Sequence, residues 1–326
     1  MTAIIVKPLA PALGAEVSCG DVRTLTDADF KPVYQALLDH LVVRIRGQQL
    51  TDPALIAFGG RLGDLDFAPF AKTGKERART HPEIIIVSNV MENGEAIGVL
   101  RDAEVVWHSD NSYRDRPLSY SALYALEIPP SGGNTGFANM YLALETLDPA
   151  LRKKLEGRTL KHDMTYNSAG DLREGFKPVS DVRDAPGPSH PIIRTHAETG
   201  YNALYLGRRP NAYINGYTVA ESEALLEAVW EHATQDKFTW HHIWHHTWHH
   251  TWHRTWSITW HHTWHQIFLK NRTLFTFQQL YPICRENLAT VPPEKSFTFA
   301  IVPRNDPKCS FMNLIISKSS KFCQKP

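Results

Sequence analysis

The chain has 326 residues, 42% of them hydrophobic and 21% charged, with a net charge of +1. That length buries a sizeable core in one large domain or two small ones, and so balanced a charge gives no global pull toward nucleic acid or a membrane surface. No run of about 18 apolar residues reads as a membrane span, the opening MTAIIVKPLAPALGAEV lacks the apolar core of a secretory leader, and the four cysteines (Cys19, Cys284, Cys309, Cys323) show no ligand spacing, so free thiols in a reducing cytoplasm are expected.

The front of the chain alternates between strands and helices. AIIVKPL is a short β-branched run. The segment from 28 to 40, DADFKPVYQALLDH with its leading aspartate, opens with capping-type residues and sets Phe30, Val33, Leu37 and Leu38 at helical spacing. LVVRIRG (41–47) reads as a strand closed by glycine, DPALIAFGGRLG (52–63) as a helix with proline near its start, and EIIIVSNV (83–90) as a buried strand. EVVWHSD and SYSALYALEIP are both rich in β-branched or aromatic residues, and PPSGGNTGFANM (129–140) is a glycine-rich bend running into a strand. YLALETLDPALRKKLEG is helical around a proline interruption, and HPIIRTH and NALYLG suggest a hairpin. VAESEALLEAVWEHATQ (219–235) is amphipathic, with Val219, Leu225, Leu226 and Val229 on one face and Glu221, Glu227 and Glu231 wet. Many short strands with a few helices suggest a sheet-dominated core with helices outside. No glycine-rich phosphate loop opens a helix, which disfavours a nucleotide-binding α/β fold.

From Trp240 tryptophan recurs every four residues to position 264, and ten of the 17 histidines lie between 241 and 265. In a helix such a stripe drifts by about 40° per step; in a strand every tryptophan falls on one face. A histidine-rich metal tract, an aromatic strand or helix, and a low-complexity insertion all fit. The charge breaks at the same place. Residues after Trp240 hold ten Lys and Arg against three Asp and Glu, leaving 25 against 31 before it, so −6 precedes the break and +7 follows.

The chemistry-bearing stretch is VVWHSDNSY (105–113). In a strand, residues two apart share a side, so His108 and Asp110 can offer an imidazole nitrogen and a carboxylate oxygen to one ion. Two histidines and one carboxylate on one face of an octahedral ion, with three positions open, is the arrangement of non-haem Fe(II) oxygenases. Alone, His-x-Asp fits equally a polar surface turn.

WHSDNSY followed by PPSGGNTGFANMY, with LVVRIRGQQLT, LDPALRKKLEG, HPIIRTHAETGYNALYLG and LLEAVWEHATQDKFTW in order, resembles the taurine/2,4-D dioxygenase family (TauD/TfdA-like) over roughly residues 3–240. The resemblance implies an α+β fold, a double-stranded β-helix (a jelly roll of the clavaminate synthase-like kind) with flanking helices. It implies an Fe(II)- and 2-oxoglutarate-dependent dioxygenase that hydroxylates a small organic acid of the taurine/sulfonate or aryloxyalkanoate class. The implied partners are a small-molecule substrate and dioxygen, with no nucleic acid or membrane and with room for a homo-oligomer. His108 and Asp110 are the implied metal ligands, and Thr135 the implied hydrogen-bond partner of the 2-oxoglutarate tail carboxylate. Asn89 falls near the substrate pocket. Arg194 and His196 sit in a matching segment but read as structural, and Trp107 as core.

After the FTW-like stretch the family continues with a Gly-Asp turn, a WDNRxxxH strand carrying the third ligand, and an arginine for the co-substrate carboxylate. Neither motif is present here. Family spacing points near Thr259, with His261 and His262 close by, and Lys270 and Arg272 near the arginine's place. The chain therefore divides into a dioxygenase unit (1–240), a Trp/His-rich low-complexity repeat (241–265) and an atypical basic tail (266–326), and the jelly roll is expected to be incomplete at its C-terminal end, as an altered reading frame or a misassembled gene end would leave it. Two other readings stay open: a catalytically impaired relative lacking the distal histidine and the arginine, and a histidine-rich metal-binding protein.

Overall fold

The computed structural model describes residues 3–66, 81–88, 91–96, 98–100, 106–127, 133–167, 170–244, 263–270 and 296–301. The chain begins with strands β1 (Ile5–Pro8) and β2 (Ala15–Ser18), then helix α1 (Asp27–His40), β3 (Val42–Arg46), α2 (Asp52–Gly60) and β4 (Asp64–Asp66). Next come β5 (Ile84–Ser88), the short β6 (Met91–Glu92), β7 (Glu95–Ala96) and β8 (Val99–Leu100), and the long β9 (Tyr120–Glu127). β10 (Thr135–Ala138) leads into helices α3 (Met140–Glu145) and α4 (Pro149–Leu155). Four short strands follow, β11 (Thr159–Lys161), β12 (Ser189–Pro191), β13 (Ile193–Thr195) and β14 (Asn202–Leu204), then β15 (Tyr213–Ile214), helix α5 (Val219–Ala233) and β16 (Thr239–His242). Two late strands, β17 (Thr263–Lys270) and β18 (Ser296–Ile301), complete the order.

Both long helices start where a capping box closes. The Thr26 hydroxyl accepts from Asp29 N–H while Asp29 reaches back to the Thr26 backbone, and Thr218 and Glu221 repeat the device at α5. Each helix then buries one stripe, Val33, Ala36 and Leu37 in α1, and Leu225, Leu226, Val229, Trp230 and Ala233 in α5.

Among the described residues the largest sheet has nine strands, in the order β1-β2-β3-β18-β9-β17-β5-β8, with β4 also paired to β17. β9 lies between the two late strands, and its own side chains are buried on both faces, Ser121 and Leu123 on one and Tyr120, Ala122 and Tyr124 on the other. α1 packs on β2 and β3, and α2 on β17. Smaller sheets join β10 to β16, β12 to β11 to β15, and β13 to β14.

The two late strands arise from segments in which the sequence offered no matching family motif. SFTFAI alternates in polarity at strand period, and its backbone pairs with β3 and β9. The compositional divisions at 240 and 265 fall inside β16 and β17. Among the described residues no helix is long and apolar enough to cross a membrane.

Candidate active site

Backbone pairing holds His108 beside Arg208 in an isolated antiparallel bridge, and Ser109 N–H donates to the Gly207 carbonyl at 2.9 Å. The chain then turns, with Asn111 at φ +50° and Arg114 N–H donating to the Asn111 carbonyl at 3.0 Å. A strand carrying both His108 and Asp110 is thus replaced by one bridge and a turn, in which Asn111 adopts a left-handed conformation that asparagine tolerates. The two side chains meet all the same, with His108 Nε2 3.2 Å from Asp110 Oδ1.

Proton accounting defines what this pair can do. His108 Nδ1 lies 2.7 Å from the Val106 carbonyl, an acceptor only, so Nδ1 carries the proton. In a neutral ring Nε2 then presents a lone pair to a carboxylate oxygen that also presents lone pairs. Two such atoms at 3.2 Å are held together either by a second proton, on Nε2 and donated to the carboxylate, or by a metal cation beside them. Two donors bound at right angles, each about 2.1 Å from an octahedral ion, stand about 3.0 Å apart. The pair therefore fits two adjacent corners of a metal site. The second carboxylate oxygen, Asp110 Oδ2, accepts from Ser121 Oγ at 2.8 Å, which fixes the plane of the carboxylate. Among the described residues no group of three His, Cys, Asp or Glu side chains gathers around one point.

Behind the turn lies a buried cluster. His190 Nε2, on β12, donates to the carbonyls of Ser112 at 3.1 Å and Arg114 at 2.9 Å, fastening the chain just after Asp110. The His162 ring stacks on Tyr205 at 4.8 Å and meets His190 edge-on at 4.9 Å, and the Arg194 guanidinium lies 4.3 Å over Tyr205. Burial pushes all these basic groups toward their neutral forms: His190 down to about 3, with Arg194 nearby adding to the effect, and His162 and Arg194 well below their usual ranges. His196 is also pushed down to about 3 by burial, and its Nδ1 accepts from the backbone of Thr199 at 2.8 Å. Arg208 and Asp163 form a buried pair at 3.3 Å, which anchors the segment bridged to His108.

Thr135 is fully buried at the start of β10, opposite His242 of β16. Its hydroxyl accepts a hydrogen bond from the Trp244 indole at 2.9 Å. Asn89, His261, His262 and Arg272 lie outside the described residues. Lys270 ends β17, its backbone paired opposite Asp64. Trp107 belongs to the core, and Arg194 and His196 are interior. Sequence reading missed Ser121, eleven residues from its partner Asp110, and His190, Gly207 and Trp244, whose partners are far away in the chain. A cavity of about 480 Å³ opens elsewhere, along segments 16–21 and 46–49, and touches none of the candidate residues.

The chain matches the family described as "Taurine catabolism dioxygenase TauD, TfdA family" over residues 5–253. It is 32% identical over 249 residues to the alpha-ketoglutarate-dependent 2,4-dichlorophenoxyacetate dioxygenase of Cupriavidus pinatubonensis, covering 73% of this chain and 85% of that one. Pentalenolactone F synthase of Streptomyces avermitilis is 31% identical, covering 71% and 79%. Among solved structures, a taurine dioxygenase from Burkholderia xenovorans superposes with a TM-score of 0.61 at 27% identity, covering 94% and 95%. The family match and the relatives together mark the chain as a 2-oxoglutarate-dependent dioxygenase. The chain belongs to the TauD/TfdA family of these enzymes.

Proposed function

We propose that the chain hydroxylates a small organic acid, of the aryloxyalkanoate or sulfonate class, using Fe(II) and 2-oxoglutarate. The observation that carries this reading is the convergence of His108 Nε2 and Asp110 Oδ1 with the opposite imidazole nitrogen already committed to a carbonyl. The substrate class draws support from the name of the Cupriavidus relative. The fold belonging to this reading is the double-stranded β-helix, with the nine-stranded sheet as its larger layer.

His108 and Asp110 would supply two donors to the iron, and Ser121 would keep the Asp110 carboxylate turned toward it. When bound, the iron couples oxidative decarboxylation of 2-oxoglutarate to hydroxylation, one oxygen atom of O₂ entering succinate and the other the product. Thr135 would bind the distal carboxylate of 2-oxoglutarate through its hydroxyl. The neutral His190 would hold the turn so that both donors keep their positions while substrate enters and product leaves.

Turnover with a panel of aryloxyalkanoates and sulfonates, followed as succinate release, tests the proposal. Release should require both Fe(II) and 2-oxoglutarate and should be lost in His108→Ala. Succinate release that survives His108→Ala, or no turnover on any panel member together with no metal-dependent binding of 2-oxoglutarate, would refute it.

A further inference from the structure

The indole N–H of Trp244 donates to Thr135 Oγ1 at 2.9 Å, and both side chains are buried, at 5% and 0% exposure. The contact bridges two elements that the sequence separates by 109 positions. β10 and β16 run antiparallel, with Trp240 opposite Phe137 and His242 opposite Thr135. Trp240, His242 and Trp244 follow one another at strand period, and their rings touch in sequence, 5.6 Å from Trp240 to His242 and 4.3 Å on to Trp244. Trp240 also stacks on Phe137 at 5.9 Å and closes against Gly14, where a Cβ would meet its ring at 3.0 Å. The aromatic row is therefore fixed from below, and the last ring sits over the threonine hydroxyl.

An indole N–H can only donate. A threonine hydroxyl has one hydrogen to give and lone pairs to receive. With the indole donating into it, the hydroxyl is set as acceptor on that side and its hydrogen must point elsewhere. A buried hydroxyl so arranged is preset to donate to an anion. It is also the stronger donor, because accepting one hydrogen bond polarises the O–H for the next. We propose that Trp244 is a positioning residue for co-substrate: its indole N–H aligns the Thr135 hydroxyl as a donor to the distal carboxylate of 2-oxoglutarate. This rests on the assignment of Thr135 made above. The first tryptophan after β16 then has a binding task whatever the remainder of the repeat does.

Calorimetry without oxygen, on the full chain loaded with Mn(II), provides the test. The ligands are 2-oxoglutarate and 2-oxobutyrate, the second lacking the distal carboxylate. Trp244→Phe keeps a ring and removes the donor, and should weaken 2-oxoglutarate binding about three- to tenfold. Thr135→Val should weaken it about tenfold or more, and adding Trp244→Phe to Thr135→Val should change nothing further. Neither substitution should alter the affinity for 2-oxobutyrate. Placing 3-benzothienylalanine at position 244 replaces N–H by sulfur at nearly constant shape, and should reproduce Trp244→Phe even where that variant folds poorly. If Thr135→Val binds 2-oxoglutarate as the native chain does, the assignment of Thr135 is wrong. If Thr135→Val weakens binding but loss of the 244 donor has no effect, adds independently, affects 2-oxobutyrate equally or tightens binding, the role of Trp244 is overturned.

Discussion

Ser121 meets Asp110 through one hydrogen bond of 2.8 Å, from the second residue of β9 to a carboxylate that would bind metal. Removing such an outer partner leaves the carboxylate free to rotate, and typically costs ten- to a hundredfold in metal affinity or activity. Ser121→Ala should therefore weaken Mn(II) binding by about that factor while leaving the thermal midpoint nearly unchanged; unaltered Mn(II) affinity would show that the carboxylate needs no such support. At this scale the sequence was informative about residue types and silent about partners. His108 and Asp110 stood out through the family resemblance of the segments around them, since His-x-Asp alone fits a polar turn equally well. Their geometry did not, since the continuous strand expected there gives way to a single bridge at His108 and a turn that starts at Asp110 and runs on through Asn111 at φ +50°. Ser121 and Trp244 left no local signal: a serine inside a hydrophobic strand looks like any other, and Trp244 looked like one repeat among several.

Gly207 couples two elements and carries the next prediction. It lies just beyond β14 at φ +61°, its carbonyl accepts from Ser109, and a Cβ there would fall 2.0 Å from His162 Nδ1. Gly207→Ala must push the His162 ring and the bridge to His108 apart, with an overpacking cost of about 1–3 kcal/mol on top of backbone strain. Both the urea midpoint and Mn(II) affinity should fall; a midpoint equal to that of the native chain would mean that the contact yields freely. Elements themselves were legible where local chemistry dictates them. The capping-type residues of α1 and the apolar stripes of α1 and α5 gave both helices within a residue or two of their ends. The strand β18 was not legible, because the alternation in SFTFAI is only a few residues long and sits inside a basic, serine-rich stretch, and its partners β3 and β9 are more than 160 residues away.

For the molecule as a whole, the buried histidines set its response to acid. His190 and His196 are held down to about 3 by burial, against an ordinary value of 6.5, and His162 is lowered in the same direction. Above about pH 6.5 these groups are neutral whether the chain is folded or not and contribute no pH dependence. As pH falls through 6.5 the unfolded chain takes up protons that the folded chain refuses, so stability declines continuously toward pH 3. Each such histidine contributes a slope of up to about 1.4 kcal/mol per pH unit. Carboxylates lowered in the fold, such as Glu16 beside Arg44 and Arg46, act in the same sense only nearer their ordinary value of 4.5. Urea midpoints that are flat between about pH 7 and pH 5 would contradict this account. The position of β9 has a consequence of another kind. Both of its neighbours come from late in the chain, and 174 residues separate Glu127 from Ile301. On the ribosome, at about 5–20 residues per second, that strand waits roughly 7–29 seconds for β17 and roughly 9–35 seconds before both flanks can pair. The nascent polypeptide thus passes through a sticky interval that ends only once β18 has emerged, and its yield in cells should depend on how well chaperones shelter that interval.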